Sequence, residues 1–174
     1  MKMVRWTRFT WNLATLPPTT GTLDGRYVIR AATREDEPVV SSLIQRAFSM
    51  DSEWSDQFVI FRDRLQLQLH QSFDREPVPA VVIHHGSRIV AASVLSSEVE
   101  ADSNLLSGPC VLAEYCNRGL GSALLHESLV QLAQGGLARA HAISKDHTLA
   151  SRFVYSKFGS TQVDCEIQTP PLTS

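Results

Sequence analysis

The sequence predicts an α/β domain. Three observations carry that reading. Short β-rich runs alternate with helix-length apolar stripes, in the order strand, two helices, three strands, helix, strand, helix, strand. Two of the middle runs are joined by His85-Gly86-Ser87, a hairpin turn, which makes the centre antiparallel. The second half contains strand–helix–strand units. At 174 residues, one domain with a sizeable core is the expectation.

The elements follow in order. Phe9, Trp11 and Leu13 alternate with Thr10 and Asn12, which predicts a short strand, and 17–21 and Asp24-Gly25 then read as a linker. Residues 1–26 are therefore set apart as an N-terminal arm or extra strand with its linker, and 27–170 as the main domain. A strand is expected over 27–31. Thr33 or Asp36 caps the helix after it, with Pro38 in its first turn and Val39, Leu43 and Ala47 on one face. Trp54, Phe58, Phe61, Leu65, Leu69 and Phe73 recur at spacings of three and four and predict a longer helix, which Pro77 and Pro79 end.

Strands are expected over 80–84, 88–95 and 105–112, the last bent or bulged at Gly108-Pro109, since proline cannot donate to a ladder. A helix over 118–134 carries Leu125, Leu129, Leu132 and Ala133 on one face and stops at Gly135-Gly136. Residues 139–144 read as strand. Residues 147–158 read as helix, with Ala150, Phe153, Val154 and Phe158 as its buried stripe and Gly159 as its cap. Val163, Cys165 and Ile167 alternate in a last strand, and Pro170-Pro171 ends the ordered chain.

Composition narrows the function classes. A net charge of −2 gives no basic footprint for nucleic acid. Lys2, Arg5 and Arg8 do sit among aromatics, but a strand packing on its own domain or on a partner subunit accounts for them better. No run of about 18 apolar residues exists, so no membrane helix is expected. The first residues lack the apolar region of a signal peptide, which makes the cytoplasm the default location. Three cysteines, Cys110, Cys116 and Cys165, lack zinc spacing and suit a reducing compartment. His84 and His85, adjacent on a strand, point to opposite faces, so no metal is expected.

The stretch with the most chemistry is VLAEYCNRGLGSALL, residues 111–125. A strand runs into Gly119 and Gly121 and then into a helix. The free N–H groups and partial positive charge of a helix start suit a phosphate, and glycines let it approach. A P-loop would need Gly-Lys-Ser/Thr, but Ser122-Ala123 follow Gly121; a dinucleotide fingerprint would need a third glycine where Leu124 stands.

This stretch resembles motif A of the GNAT superfamily, the GCN5-related N-acetyltransferases. Ser151-Arg152-Phe153-Val154-Tyr155-Ser156-Lys157-Phe158-Gly159 is similar to that family's Ala-x-x-x-Tyr-x-x-x-Gly ending, and Ile29-Arg30-Ala31-Ala32-Thr33-x-x-Asp36 to its common opening. The resemblance covers about residues 27–168. Cys116 stands where the family has Arg or Gln, Ala113 where it has proline, and Thr148 where Asn is frequent.

The resemblance implies a mixed central sheet with splayed middle strands and helices on both faces. It implies acetyl-CoA, or another acyl-CoA, as co-substrate. Backbone N–H groups of Cys116, Asn117, Arg118, Gly119, Leu120, Gly121 and Ser122 would hold the pyrophosphate, and the strand end at Val111, Leu112 and Ala113 the pantetheine arm, where one N–H polarises the thioester carbonyl. Ser151 and Tyr155 would complete the cofactor site. Tyr155 matches the family's general acid, and Glu98 is the candidate general base, with Glu100, Glu53 and Glu114 as alternatives. Cys110, on the same strand, could serve a covalent route but reads better as a small buried residue. The implied reaction is direct attack by an amine of a small molecule or peptide in a ternary complex. A catalytically silent acyl-CoA-binding module is the rival, and a nucleotide-binding protein using the same turn is a weaker one. Asp51, Glu53 and Asp56, bordering the expected acceptor groove, hint at a cationic amine. A homodimer formed through strands, the N-terminal arm among them, is the implied assembly.

Overall fold

Two sheets joined at one end carry the fold. The computed structural model describes residues 5–19, 21–51, 55–145, 148 and 153–165, with backbone only for 55–57. The elements are β1 (Trp6–Asn12), β2 (Tyr27–Ala31), α1 (Glu37–Met50), α2 (Ser55–Phe73), β3 (Ala80–His85), β4 (Arg88–Val94), β5 (Cys110–Val111), α3 (Leu120–Gln134), β6 (Arg139–Lys145) and β7 (Thr161–Cys165). One sheet has the order β2-β3-β4-β5 and the other β6-β1-β7, and every ladder is antiparallel. Among the described residues no helix is long and apolar enough to cross a membrane.

The four-stranded sheet is dry on both sides. Ala80 to Ile83 of β3 and Ile89 to Val94 of β4 are buried at every position, so both faces must be covered. α1 packs on β4 and β5, α3 on β3 and β4, and α2 packs on α1. The α2 stripe is as expected: Phe58, Phe61, Leu65, Leu69 and Phe73 are all buried. Trp54 lies outside the described residues. The α1 stripe is set one position on from expectation. Val40, Leu43 and Ile44 are buried while Val39 is half exposed, because the helix lies on β4 and β5 with the Val40–Ile44 edge of its stripe innermost. Asp36 organises that entry. Its carboxylate accepts from the Thr33 N–H (2.8 Å) and takes both arms of the Arg30 guanidinium, at 2.7 and 2.9 Å.

The N-terminal strand is not peripheral to this sheet pair. β1 lies in the middle of the second sheet, with Phe9 opposite Ala142 of β6 and Gln162 of β7. Phe9 and Trp11 are buried on its inner face, and Leu13 leaves the strand in a short turn, Leu13–Thr15, capped by the Asn12 side chain.

β5 and β6 do not pair, so the two sheets diverge there. They are joined by α3 and by the buried Asn104. Its N–H donates to the His141 carbonyl (2.7 Å), its Oδ1 accepts the His141 N–H (2.8 Å), and its Nδ2 donates to the carbonyls of Ser96 and Glu98 (2.9 and 3.1 Å). The strand expected over 105–112 survives as a bridge between Leu105 and Leu95 and as the two residues of β5. Gly108, at φ +63°, and Pro109 break it between, as expected.

Of the helix expected over 147–158, residues 147 and 149–152, Ala150 among them, lie outside the described residues; 153 and 154 are in a π-helical turn, and the chain then passes through left-handed Phe158 and Gly159. Phe153, expected in its buried stripe, is instead 57% exposed, because this turn sets its neighbour Val154 against the core. Val163 of β7 is likewise 64% exposed, since the outer face of this edge strand is uncovered. Ile167 and Pro170-Pro171 lie outside the described residues.

Candidate active site

The phosphate-sized feature forms where β5 gives way to α3. After Leu112 the chain makes a short turn, Ala113–Tyr115, passes through extended Cys116, and reverses at left-handed Asn117 and Gly119 before the helix starts at Leu120. A side chain at Gly119 would be strained at φ +78°, so glycine is what permits the helix to begin there. The Cys116 N–H donates to the Ala113 carbonyl (3.3 Å) and is thereby withdrawn from the cradle expected of it. The N–H groups of residues 117–122 meet no acceptor among the described residues, whereas Ala123 already donates to the Gly119 carbonyl. The cradle thus runs from Asn117 to Ser122, and successive left-handed turns at a helix start orient its donors toward an anion. A Cβ at Gly121 would meet Val154 Cγ2 at 3.7 Å, an ordinary contact, so the fold itself does not demand glycine at this position.

Cations flank the cradle on two sides. The Arg118 guanidinium lies 5.3 Å from the centroid of the Tyr115 ring, and its Nη1 donates to the Tyr27 hydroxyl (3.2 Å). Tyr115 is fixed in turn by His85, whose Nδ1 is 2.8 Å from its hydroxyl, and by Arg88 on the ring. His84 turns the other way and accepts from Arg30 Nε (2.8 Å), so the two histidines diverge as expected. On the opposite flank the Lys157 ammonium donates to Ser122 Oγ (2.8 Å). In sequence, 35 residues separate Lys157 from Ser122, and only the fold brings its charge to α3.

The gap between the sheets begins one residue before the turn. Leu112 donates to the Val90 carbonyl (3.0 Å), and its own carbonyl accepts from Tyr115 (2.9 Å), so both its backbone groups are engaged. Val111 stands opposite Ala91, one step along the same ladder. Antiparallel pairs alternate between bonded and non-bonded, so the N–H and C=O of Val111 turn away from β4, toward the side of β6.

Tyr155 packs between β1 of the second sheet and the Gly108 turn that precedes β5. Its ring packs against Phe9 and Trp11 of β1, at centroid distances of 5.4 and 6.0 Å. Trp11 holds the same segment through its indole N–H, which donates to the Lys157 carbonyl (2.9 Å). The Tyr155 hydroxyl lies directly over Gly108, where any side chain would collide with it. Burial pushes the phenol well above its ordinary value, so it keeps its proton at neutral pH. The Cys110 thiol, also buried, is raised to about 12, which leaves it without thiolate character.

The carboxylates are less concentrated. Glu98 is exposed and paired with Arg75 (3.4 Å), and Glu114 is paired with Arg46 (3.5 Å). Glu100 is exposed. Ser151 and Glu53 lie outside the described residues.

No family model matches the chain, and no curated protein does. Solved structures do. A GCN5-related N-acetyltransferase from Sphaerobacter thermophilus is similar at 17% identity over 94% of this chain and 50% of that one, with a TM-score of 0.66. A GNAT-family acetyltransferase from Colwellia psychrerythraea is similar at 15% over 92% and 53%, with a TM-score of 0.61. A GCN5-related N-acetyltransferase from Kribbella flavida gives 14% over 97% and 60%, with a TM-score of 0.58. The chain spans about half the length of the first two and 60% of the third. At these identities the likeness concerns backbone architecture, and it establishes that architecture over nearly the whole chain.

Proposed function

Taking the GNAT fold as the premise, we propose that the chain is an acetyl-CoA-dependent N-acyltransferase. One observation carries the reading: among the described residues the N–H groups of 117–122 meet no acceptor, and they follow closely on β5, whose Val111 presents its backbone to the gap between the sheets. An acyl-CoA is an anion joined to an extended amide-bearing arm, and these are the two partners such a strand and turn can bind. The pyrophosphate would take the cradle and the pantetheine arm the free groups of Val111. A backbone donor near the thioester carbonyl would stabilise the charge developing there.

The chemistry is aminolysis. A neutral amine attacks the thioester carbonyl carbon, the C–S bond breaks, and the amide keeps the acyl group while the thiolate leaves. An amine of pKa about 10 is roughly one part in a thousand neutral at pH 7, so a base acting through water assists; Glu98 is the candidate once its Arg75 partner is displaced. Tyr155 holds a proton over the gap. A phenol raised by burial donates a hydrogen bond to a thiolate of conjugate pKa about 8.5 more readily than it gives up its proton, so the role proposed for Tyr155 is a donor that stabilises the leaving sulfur. The acceptor is an amine of a small molecule or peptide. Assembly with a second copy, through the strand edges, belongs to the same proposal.

The burial of Tyr155 favours a second reading, an acyl-CoA-binding module without turnover. Acetyl-CoA turnover measured as thiol release across amines, polyamines, amino acids and peptide N-termini separates the two. The enzyme releases thiol with at least one acceptor, and Tyr155→Phe lowers that rate by about a hundredfold while sparing acetyl-CoA affinity. Binding with no release for any acceptor supports the module instead.

A further inference from the structure

We propose that Arg8, in the centre of the second sheet, binds a carboxylate carried by the acceptor, so that the acceptor is an amino acid with a free carboxylate. The inference rests on the acyltransferase reading and narrows its acceptor class.

Arg8 stands out on β1. Phe9 and Trp11 turn toward Tyr155, and the segment that carries Tyr155 meets α3, with Val154 beside Gly121 and Lys157 beside Ser122. Side chains alternate along a strand, so Arg8 and Thr10 face away from α3. In register, Arg8 lies between Ile143 of β6 and Val163 of β7. The residue is half-buried, and its Nε is buried and meets no acceptor among the described residues. Arg26, Arg30, Arg34, Arg46 and Arg75, by contrast, each have a carboxylate. A buried charge without a partner costs stability, and an apolar side chain between Ile143 and Val163 would avoid that cost. The anion that completes Arg8 is one the described residues do not supply.

The surroundings add no counter-charge. His141 lies opposite Thr10, whose Oγ1 is 2.9 Å from its Nδ1. Its imidazole is held below the ordinary value chiefly by burial and then by the charges of Arg8 and Arg139, with exposed Asp102 opposing, so it is neutral at pH 7.

The place suits an acceptor. Asn104 ties the two sheets at His141, and they have parted by β5; Arg8, opposite Ile143, stands two residues along β6 from that tie. On β5 the Cys110 thiol, raised chiefly by burial, also feels Asp51 at the C-terminal end of α1. One side of the gap thus carries an acid and the other a guanidinium. An ammonium group drawn by Asp51 and a carboxylate held by Arg8 are the two ends of an amino acid. The Nε–Nη edge of a guanidinium meets a planar carboxylate in two parallel hydrogen bonds. A polyamine would set a cation against Arg8 instead.

The test is thiol release from acetyl-CoA by the whole chain, with a panel of amino acids, the same amino acids as carboxamides, and polyamines. The best amino acid is expected to exceed its carboxamide by about tenfold to a hundredfold in kcat/KM, chiefly through KM. Arg8→Gln is expected to bring that ratio close to one, and Arg8→Lys to restore part of it, since an ammonium keeps the charge without the fork. Carboxamides or polyamines that match the acids with the unaltered protein overturn the carboxylate assignment alone, and this arm decides by itself if Arg8→Gln does not fold. A folded Arg8→Gln that keeps the full preference removes Arg8 from the role. Release with no acceptor overturns the acyltransferase reading and this inference with it.

Discussion

Alanine at Gly108 tests the placement of Tyr155 without any assumption about substrate. Gly108 sits at φ +63°, a region that costs an L-residue about 1–2 kcal/mol. Its new Cβ would overlap the Tyr155 hydroxyl while clearing the ring carbon Cζ at 3.5 Å, an ordinary contact. Overpacking of this kind costs about 1–3 kcal/mol. Gly108→Ala is thus expected to destabilise the protein by about 2–5 kcal/mol. In a Tyr155→Phe background the offending atom is gone, and only the backbone part, about 1–2 kcal/mol, should remain. Urea unfolding of the four proteins in the cycle gives the coupling directly. A coupling of about 1–3 kcal/mol, with Tyr155→Phe rescuing Gly108→Ala, is the expected result. Additivity within about 0.5 kcal/mol would refute the reasoning, because it would mean that the hydroxyl does not rest on this glycine.

Three further outcomes are expected. Gly121→Ala should leave stability and acetyl-CoA affinity nearly intact, since its Cβ finds 3.7 Å of room, while Gly121→Glu should abolish binding by putting a carboxylate in the cradle; calorimetry showing undiminished affinity for the glutamate variant would remove the cradle from the mechanism. Asn104→Ala removes the partner of the His141 N–H and of the Ser96 carbonyl, while the Glu98 carbonyl keeps the Ala101 N–H, and should cost about 2 kcal/mol, read as a lowered urea midpoint. Asp36 is held at about 2, chiefly by its hydrogen bonds to Arg30, against an ordinary 3.8. Its folded value lies below its unfolded one, so its contribution is complete above about pH 4 and is lost as pH falls toward 2. Asp36→Asn should remove about 1–2 kcal/mol at pH 7 and flatten the decline across that window, as unfolding at a series of pH values would record.

Most elements were legible because their burial is periodic. The α2 stripe, the β3–β4 hairpin and the glycine turn are local patterns, and local patterns survive in a single sequence. What escaped depends on partners far apart in the chain. The pairing of β1 with two strands more than a hundred residues later leaves no mark on the alternation of Phe9 and Trp11, which is the same for an arm, an edge or a centre. Asn104 reads as loop polarity until its carbonyl, amide and side chain are seen bridging two sheets. The turn itself was found from Gly119 and Gly121, yet the loss of the Cys116 N–H to Ala113 is a matter of one dihedral and could not be. Lys157 shows the same limit, since its distance from Ser122 in sequence hides their contact.

The central seat of β1 has a consequence for biosynthesis. Its partners are residues 139–145 and 161–165, so the second sheet cannot close until residue 165 has been made. The four-stranded sheet draws only on residues 27–111 and can form earlier. Until β6 and β7 arrive, Phe9 and Trp11 lack the sheet that buries them, an exposed apolar stretch of the kind that chaperones hold. The long sequence separation also makes this the slow part of folding, because the loop must close before any contact rewards it. The tyrosine that packs on Phe9 and Trp11 therefore reaches its place late, and the acyl transfer proposed above would wait until β1 has met β6 and β7.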